Sequence, residues 1–427
     1  MRKLVFLILC TGCIAYQPRP VSVAENADAL LSRSLDPSRR WTPEQLRTAA
    51  LELHPDLAVA RAELASAQAA IRAATERPNP TLSAGVEHKG GSGDVSPWVT
   101  TLSLDLPFET AGKRGARIRE ATALSNEAAA NVDQAIWTVR SDVSRAIVDL
   151  ARNTSLRAAR EHEATLREEI VAIYARRLEV GESASPDLFR VRAEQRVAAA
   201  ISLAEAAKSD TARDALATAI GIPRAALPND IDLAHVGDAT SPRDEASLCK
   251  LALTARPDVL AALAHYDALD ATYRLEVKRQ YPDFHVSPGI GWDQGAFKWT
   301  LGAAAELPIF NRHEGPIARA EAERAKAAAQ LLAVQAKVIG TVDAARTRER
   351  TARARLAAAS QVVESREALV AAGRKQFAAG EIDRLAMRQL EAESAAAEAD
   401  RVDARFDVAA ALVELEAAIE QPLGGER

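Results

Sequence analysis

The side chains that most often perform catalysis or bind metals are scattered along this chain. None of its seven histidines stands at a spacing that would place two ring nitrogens on one metal ion. They are His54, His88, His162, His235, His265, His285 and His313. Carboxylates are numerous but lie among basic residues, as on solvated helix faces, and no nucleophile motif or phosphate-binding loop stands out. The sequence therefore predicts no catalytic residues, no metal site and no enzyme.

One cysteine is a candidate for covalent modification. Cys10, Cys13 and Cys249 form neither a disulfide framework nor a zinc-binding pattern. The chain begins with two basic residues and a short apolar run, and small residues precede Cys13, which resembles a bacterial lipoprotein signal. We therefore expect residues 1–12 to be a signal peptide and Cys13 to be the lipid anchor, with no other cofactor. The alternative is an ordinary cleaved signal with incidental cysteines.

The composition favours long helices over a compact globule. Of the 427 residues, 48% are hydrophobic but only 4% are aromatic. Alanine together with arginine and glutamate is typical of closely packed long helices. The formal net charge is −5, with 54 basic and 59 acidic residues interspersed. No basic tract suits nucleic acid, so we expect no nucleic-acid partner.

The chain is also internally duplicated. Leu53-His54-Pro55 is echoed by Ala255-Arg256-Pro257, and Gly181-Glu182 by Gly380-Glu381. A period of about 200 residues is too long for a solenoid and indicates two copies of one domain. The copies are 42–221 and 245–421, joined by a connector over 222–244 and flanked by an extended N-terminal arm over 13–41 and a tail over 422–427.

Each copy is predicted to contain a helix, a β-hairpin and a long helical hairpin. In the first copy, one helix runs from a cap at Thr42 toward Arg77. A long helix then runs from near Gly115 to a tip near 181, and the chain returns from a cap at Ser185. The second copy repeats this pattern, with a tip near 380 and a cap at Asp383. Along the first long helix, the coiled-coil spacing marks a seam at Ile136, Val139, Val143, Ile147 and Leu150.

The β-hairpins, at 81–106 and 283–306, are the segments with a period of two. Strands of about ten residues that are apolar on one face, polar on the other and aromatic near their ends are typical of an outer-membrane β-barrel. A small, half-buried soluble sheet is the alternative. The predicted lipid-facing residues are Trp98, Leu102, Leu104, Leu106, Trp292 and Trp299. Four strands cannot close a barrel, so we expect three chains to supply twelve strands.

These segments resemble the TolC-like outer-membrane factor family, and most closely its heavy-metal efflux branch, typified by CzcC and CusC. The resemblance covers essentially the whole mature chain. It is carried by Arg77-Pro78-Asn79-Pro80, Glu109-Thr110-Ala111-Gly112-Lys113-Arg114, Gly181-Glu182-Ser183-Ala184-Ser185-Pro186 and Leu307-Pro308-Ile309-Phe310-Asn311-Arg312. It implies a mainly α fold, in which antiparallel coiled-coil hairpins form an α-barrel, with a four-strand share of a twelve-stranded trimeric β-barrel.

The family implies an export duct of a tripartite efflux system of the resistance–nodulation–division (RND) type. The duct would be a lipid-anchored homotrimer in the outer membrane of a Gram-negative bacterium. It would work with a periplasmic adaptor (membrane fusion protein) and an inner-membrane pump, and would conduct heavy-metal cations passively. The alternative is a periplasmic coiled-coil scaffold or adaptor without a membrane barrel.

The two tips would carry adaptor docking and the gate. The residues assigned to them are Arg176, Arg177, Leu178, Gly181, Glu182, Ser185, Asp187, Phe377, Gly380, Glu381, Asp383 and Arg384. Relatives often have acidic residues six and nine positions past the second tip glycine, where this chain has Ala386 and Gln389. Asp187, at the matching point of the first tip, is therefore the candidate for an acidic ring. The tip glycines could instead serve only to end helices.

Overall fold

The computed structural model describes residues 14–90, 96–236 and 245–423. The predicted signal peptide and Cys13 lie outside the described residues. The helices in chain order are α1 (Val23–Leu31), α2 (Pro43–Leu53), α3 (Pro55–Thr75), α4 (Lys113–Glu179), α5 (Ser185–Ile220), α6 (Glu245–Ala255), α7 (Pro257–Arg279), α8 (Glu314–Ala378) and α9 (Arg384–Ile419). The strands are β1 (Thr81–His88), β2 (Trp98–Phe108), β3 (Phe284–Asp293) and β4 (Ala296–Ala305).

The long helices lie side by side in a single layer. α4 packs against both α5 and α9, and α9 packs against both α4 and α8, which gives the order α5-α4-α9-α8. Closer to the sheet, α3 packs on α4, and α7 lies between α4 and α8. The order there is α3-α4-α7-α8, so α3 takes the place of α5 and α7 that of α9.

The predicted seam of α4 is confirmed as the core of the first repeat. Val139, Val143, Ile147 and Leu150 are buried, and Ile136 packs against them. Leu46 from α2 and Leu216 from α5 belong to the same cluster. The second repeat has a matching cluster around Val338, Val342 and Leu412. Burial of these aliphatic side chains supplies the main favourable free energy of folding.

The expected single helix from Thr42 to Arg77 is wrong, because the chain breaks at His54. α2 ends at Leu53, and His54 is extended, with ψ of 127°, ahead of α3. Pro55 explains the break, since a proline disfavours the helical conformation in the residue before it. Arg256 and Pro257 repeat the break between α6 and α7. The predicted cap at Thr42 is confirmed as a capping box with Gln45.

The N-terminal arm and the connector carry more structure than their sequence suggests. The arm is not wholly extended, because α1 forms within it, capped by Ser22. Trp41 forms a parallel bridge with Ile231 of the connector, which also contains a short 3₁₀ turn over Arg224–Ala226. The arm and the connector therefore meet beside the first repeat.

The four strands form one antiparallel sheet in the order β1-β2-β3-β4. The central pairing, between β2 and β3, joins the two repeats. β3 and β4 are joined by Gln294 and Gly295, with φ of 55° and 84°. Two successive left-handed residues are typical of the type I′ turn, whose twist suits a two-residue hairpin.

Candidate functional site: the sheet face and the helix tips

The strand register gathers the apolar residues of all four strands on one face of the sheet. Leu102 pairs with both Ala84 and Ile290, and Ile290 pairs with Trp299. The six predicted lipid-facing residues all lie on this face. Trp299 is 76% exposed and Trp98 is 53% exposed, whereas Leu104 and Leu106 are half-buried. An exposed apolar surface of this extent marks an interaction with a membrane or another protein.

Aromatic side chains lie near both ends of this face. At the hairpin end, Trp98 packs edge-on against His88, and Trp292 packs against Phe297. At the end nearer the helices, Phe108 pairs with Phe284. Two aromatic rows bounding an apolar band are the pattern found at the two interfaces of a bilayer.

The opposite face of the sheet is polar and built from small residues. Asp105 Oδ1 accepts a hydrogen bond from Ser287 Oγ at 2.8 Å, and its Oδ2 lies 2.8 Å from His285 Nδ1. Gly289 has little room for a side chain there, because an added Cβ would lie 2.7 Å from Thr300 Oγ1 and 3.2 Å from the carbonyl oxygen of Leu102. The sheet thus presents an apolar and a polar side, as the alternation in the sequence predicts.

A buried lysine and its partners join the strands to the long helices. Lys113, at the start of α4, is 8% exposed, and its Nζ lies 2.8 Å from Asp283 Oδ1 just before β3. The same oxygen accepts a hydrogen bond from the backbone N–H of Thr110 at 2.8 Å. Lys278 Nζ donates to the carbonyl oxygen of Ala111 at 3.0 Å. These contacts link the repeats and fix the direction in which α4 leaves the sheet. The sequence analysis did not predict that these two lysines connect the strands to the long helices.

The two tips end their helices with the same backbone motif. At the first tip, Gly181 has φ of 77°, and the N–H of Glu182 donates to the carbonyl oxygen of Arg177 at 2.8 Å. At the second, Gly380 has φ of 78°, and the N–H of Glu381 makes the equivalent 2.8 Å bond. Both are Schellman caps, in which the left-handed residue favours glycine.

Ion pairs hold the two tips of one chain together. Arg177 at the first tip pairs with Asp383 at the second. Nearby, Arg388 Nε of α9 lies 2.7 Å from Glu169 Oε2 of α4. Asp383 also caps α9, because its carboxylate accepts a hydrogen bond from the N–H of Ala386 at 2.8 Å. That backbone bond and the Arg177 guanidinium lower the pKa of Asp383. Two predicted tip residues, Arg177 and Asp383, are thus in direct contact.

The other tip residues are arranged differently in the two repeats. The predicted cap at Ser185 is wrong, because the capping position is Ala184, which has no side-chain acceptor. Leu178 packs in the apolar cluster behind the tips, whereas Phe377 is 46% exposed. The remaining predicted tip residues are exposed and flank the caps: Arg176, Glu182, Asp187, Glu381 and Arg384. Glu169 and Arg388 were missed, because no local pattern announces contacts between residues more than 200 positions apart.

The described residues contain no group of three or more His, Cys, Asp or Glu side chains placed to hold a metal ion. Within the same part of the chain, no helix is both long enough and apolar enough to cross a bilayer.

The family of the chain follows from a match in both repeats. The sequence model of the family described as "Outer membrane efflux protein" matches residues 46–222 and 248–420. The chain therefore belongs to this family of outer-membrane channel proteins, which are not enzymes, and the predicted TolC-like relationship is confirmed.

Individual relatives agree with this assignment. The chain is 32% identical to the cobalt-zinc-cadmium resistance protein CzcC of Cupriavidus metallidurans over 285 residues, which cover 65% of each protein. The match thus spans slightly less than two thirds of that relative. The structure resembles the outer-membrane channel OprN, with a TM-score of 0.71 over 97% of this chain and 100% of the other at 20% identity. It also resembles CusC, with a TM-score of 0.70 over 89% and 92% of the two chains at 16% identity. These two likenesses establish the fold.

Proposed function

We propose that this protein is the outer-membrane duct of a tripartite RND-type efflux system and that its cargo is a divalent metal cation. The observation that carries the proposal is the separation of two surfaces along one helix. The apolar sheet face lies at one end of α4 and the paired tips at the other. The 67 residues of α4 span about 100 Å at 1.5 Å per residue, so one chain reaches from a bilayer far into the periplasm.

Three chains would complete the duct. β1 and β4 are the edge strands of the sheet, and unpaired strand edges are not tolerated in lipid. Pairing β4 of one chain with β1 of the next closes a barrel. Eight strands leave an interior only wide enough for side chains, whereas twelve leave room for a solute. A homotrimer of twelve strands and six helical hairpins satisfies both requirements.

The tips would dock the periplasmic adaptor and close the duct. Charged and apolar side chains, including Glu182, Asp187 and Phe377, stay exposed beside the rigid glycine caps. The ion pair of Arg177 with Asp383 would hold neighbouring hairpins together in the closed duct. Asp187 remains the candidate for an acidic ring around the opening.

The metal cargo is inferred from the printed name of CzcC, a cobalt-zinc-cadmium resistance protein. A strain lacking the gene should lose tolerance to cobalt, zinc or cadmium, and the full-length gene should restore it. A variant with Trp98, Leu102 and Trp299 all changed to Asp should fail to restore it, because charges on this face oppose insertion. Unchanged tolerance to all three metals in the deletion strain would refute the cargo without affecting the channel assignment.

Fractionation separates the duct from the alternative of a periplasmic scaffold or adaptor. We expect the protein in the outer-membrane fraction after a high-salt wash, since burial of an apolar sheet face is not screened by salt. Recovery in the soluble periplasm would refute the duct.

Lipid attachment at Cys13 completes the proposal. Cys13→Ser should abolish labelling by a radioactive fatty acid, while Cys10→Ser should leave labelling intact. Labelling that persists in the Cys13→Ser variant would show that another residue carries the lipid.

A further inference from the structure

A polar cavity of about 390 Å³ lies where α4 passes between α5 and α9. Carboxylates from all three helices line this cavity, namely Asp149 of α4, Glu205 of α5 and Asp403 of α9. Asp149 stands near the middle of α4 (Lys113–Glu179). The cavity is therefore separate from both the sheet face and the helix tips.

The Glu205 carboxylate is buried and only half satisfied. The Glu205 side chain is 8% exposed, and its Oε1 accepts a hydrogen bond from Lys208 Nζ at 2.8 Å. Its Oε2 is buried and has no hydrogen-bond donor among the described residues. A buried carboxylate oxygen without a donor costs free energy, so a positively charged ligand beside it would be stabilised.

Asp149 is a second carboxylate without a direct partner. It makes no ion pair or side-chain hydrogen bond in the described contacts, and Arg152 and Arg145 act on its charge only from a distance. Asn153 stands about one turn further along α4, lines the same cavity and can offer an amide oxygen. The cavity wall thus holds several oxygens that are free to accept a ligand.

The basic side chains of the wall already have carboxylate partners. Arg152 Nη2 lies 2.6 Å from Asp403 Oδ1, and Arg160 Nη2 lies 2.7 Å from Asp400 Oδ1. Lys208, the third basic residue, is bonded to Glu205. Because these three positive charges are matched, the negative charge of Asp149 is left over.

We propose that this cavity is a weak site for a divalent cation held by Asp149 and Glu205, with the Asn153 amide and water as further ligands. Oxygen donors are the ligands that hard divalent cations prefer. A cation that keeps several of its waters needs only one or two carboxylates, and at about 30 Å³ for a water molecule the cavity has room for such an ion. The site therefore does not need the group of three metal-binding side chains that the described residues lack.

The cavity lies on the face of the helix layer that the connector leaves free. Ser144, Ile147 and Val148 of α4 line a different cavity together with His235 and Val236 of the connector. Successive residues of an α-helix are about 100° apart, which places Asp149 and Asn153 on the opposite side of α4. In the proposed duct the connector must lie outside, because it would otherwise obstruct the passage. The cation site would then face the passage.

The second repeat has no copy of this site. The positions 199 residues further along the chain are Arg348 for Asp149, Ala352 for Asn153 and Ala404 for Glu205. None of these three side chains offers an oxygen ligand. The proposed trimer would therefore carry three sites at one level along its passage.

Weak binding suits a site in the wall of a duct. Conduction requires that an ion be bound well enough to enter and weakly enough to leave. The place of the site in the passage rests on the proposed function, whereas the site itself is formed within one chain.

Binding of Mn²⁺ to the purified full-length protein tests the site, because Mn²⁺ prefers oxygen ligands and electron paramagnetic resonance measures its free concentration. Asp149→Asn and Glu205→Gln should each weaken the binding about tenfold or more, because each removes one of the two charged ligands. Asn153→Asp should strengthen the binding, because it adds a carboxylate, and a gain of this kind cannot arise from misfolding.

Glu161→Gln is the matched control. Glu161 is an exposed carboxylate of the same helix that pairs with Arg157 at 2.7 Å and does not line the cavity, so its replacement should leave Mn²⁺ binding unchanged. Equal Mn²⁺ binding by the wild type, Asp149→Asn and Glu205→Gln would overturn the site and leave the duct intact.

Competition identifies the source of the cation. Displacement of Mn²⁺ by Mg²⁺ or Ca²⁺ at lower concentrations than Co²⁺ would indicate an ion of the surrounding medium, and the reverse order would indicate the exported cargo. Either order supports the site. The metal-tolerance and fractionation experiments do not measure this binding, so a failure of the proposed function would leave the Mn²⁺ result unaffected.

Discussion

Glu420 adopts a left-handed backbone conformation, and the equivalent residue of the first repeat is a glycine. Glu420 has φ of 49°, and Gly221, 199 positions earlier, has φ of 83°. The Glu420 side chain lies largely buried beside Arg256, with its Oε1 3.1 Å from the Arg256 Nη2, and Arg256 also pairs with Asp258. One guanidinium thus faces two carboxylates, which makes Glu420 a strained and electrostatically costly residue at the end of α9.

The carboxyl of Glu420 should make stability depend on pH. Burial, opposed by Arg256, raises its pKa from 4.5 to about 7. The folded chain therefore binds a proton that the unfolded chain releases, so this contribution to stability is full below pH 4.5 and is lost as the pH rises through about 7. Glu420→Gln should increase the free energy of unfolding at about pH 8 by roughly 1–2 kcal/mol, after discounting for partial exposure. Its melting temperature at that pH should therefore exceed that of the wild type.

The melting temperatures of wild type and Glu420→Gln should converge as the pH is lowered toward 4.5. Glu364→Gln, at an exposed position of α8, serves as the control and should leave the melting curve unchanged at every pH. A Glu420→Gln variant that is less stable at alkaline pH would show that the pairing with Arg256 outweighs burial.

The ion pair between the tips yields a prediction about conductance. Arg177→Gln and Asp383→Asn each remove one partner and should raise the open probability of single channels in planar bilayers. The double variant should open no more than the more open single variant, because both changes remove the same interaction. Arg190→Gln is the control, since Arg190 pairs only along its own helix with Glu194 in the described contacts. Additive effects of Arg177→Gln and Asp383→Asn would contradict a shared role.

At the scale of elements, a glycine-to-alanine substitution should lower the free energy of unfolding at one glycine of the second hairpin and raise it at another. Gly380 at the tip has φ of 78°, and Gly340 lies inside α8; an added Cβ would meet no atom within 4 Å at either. Gly380→Ala should cost roughly 1–2 kcal/mol, because a left-handed residue with a Cβ is strained. Gly340→Ala should gain roughly 0.5–1 kcal/mol, because alanine loses less entropy in a helix. Thermal unfolding followed by circular dichroism measures both, and equal shifts would refute this account of the tip.

The elements also show how far the sequence predicts the fold. Periodicity and glycine caps were sufficient for the four long helices, because each signal lies within its own element. The breaks at His54 and Arg256 could have been predicted, since each precedes a proline. The contacts of Glu169 with Arg388 and of Lys113 with Asp283 could not, because they depend on how distant helices and strands lie side by side. For the same reason, Arg177 and Asp383 were assigned to the tips without being paired.

At the scale of the whole molecule, the equal lengths of α5 and α9, 36 residues each, restrict how the distance between the sheet and the helix tips can change. Both hairpins of a chain end at the same level, and in the proposed trimer a docking partner would meet six ends in one plane only while that holds. An insertion in one repeat would leave three ends protruding beyond the other three. Lengthening must therefore occur in both repeats and in both arms of each hairpin, in steps that keep the helical phase. The distance that the proposed duct would span between the membrane and its docking partner is thus a property that the two repeats can change only together.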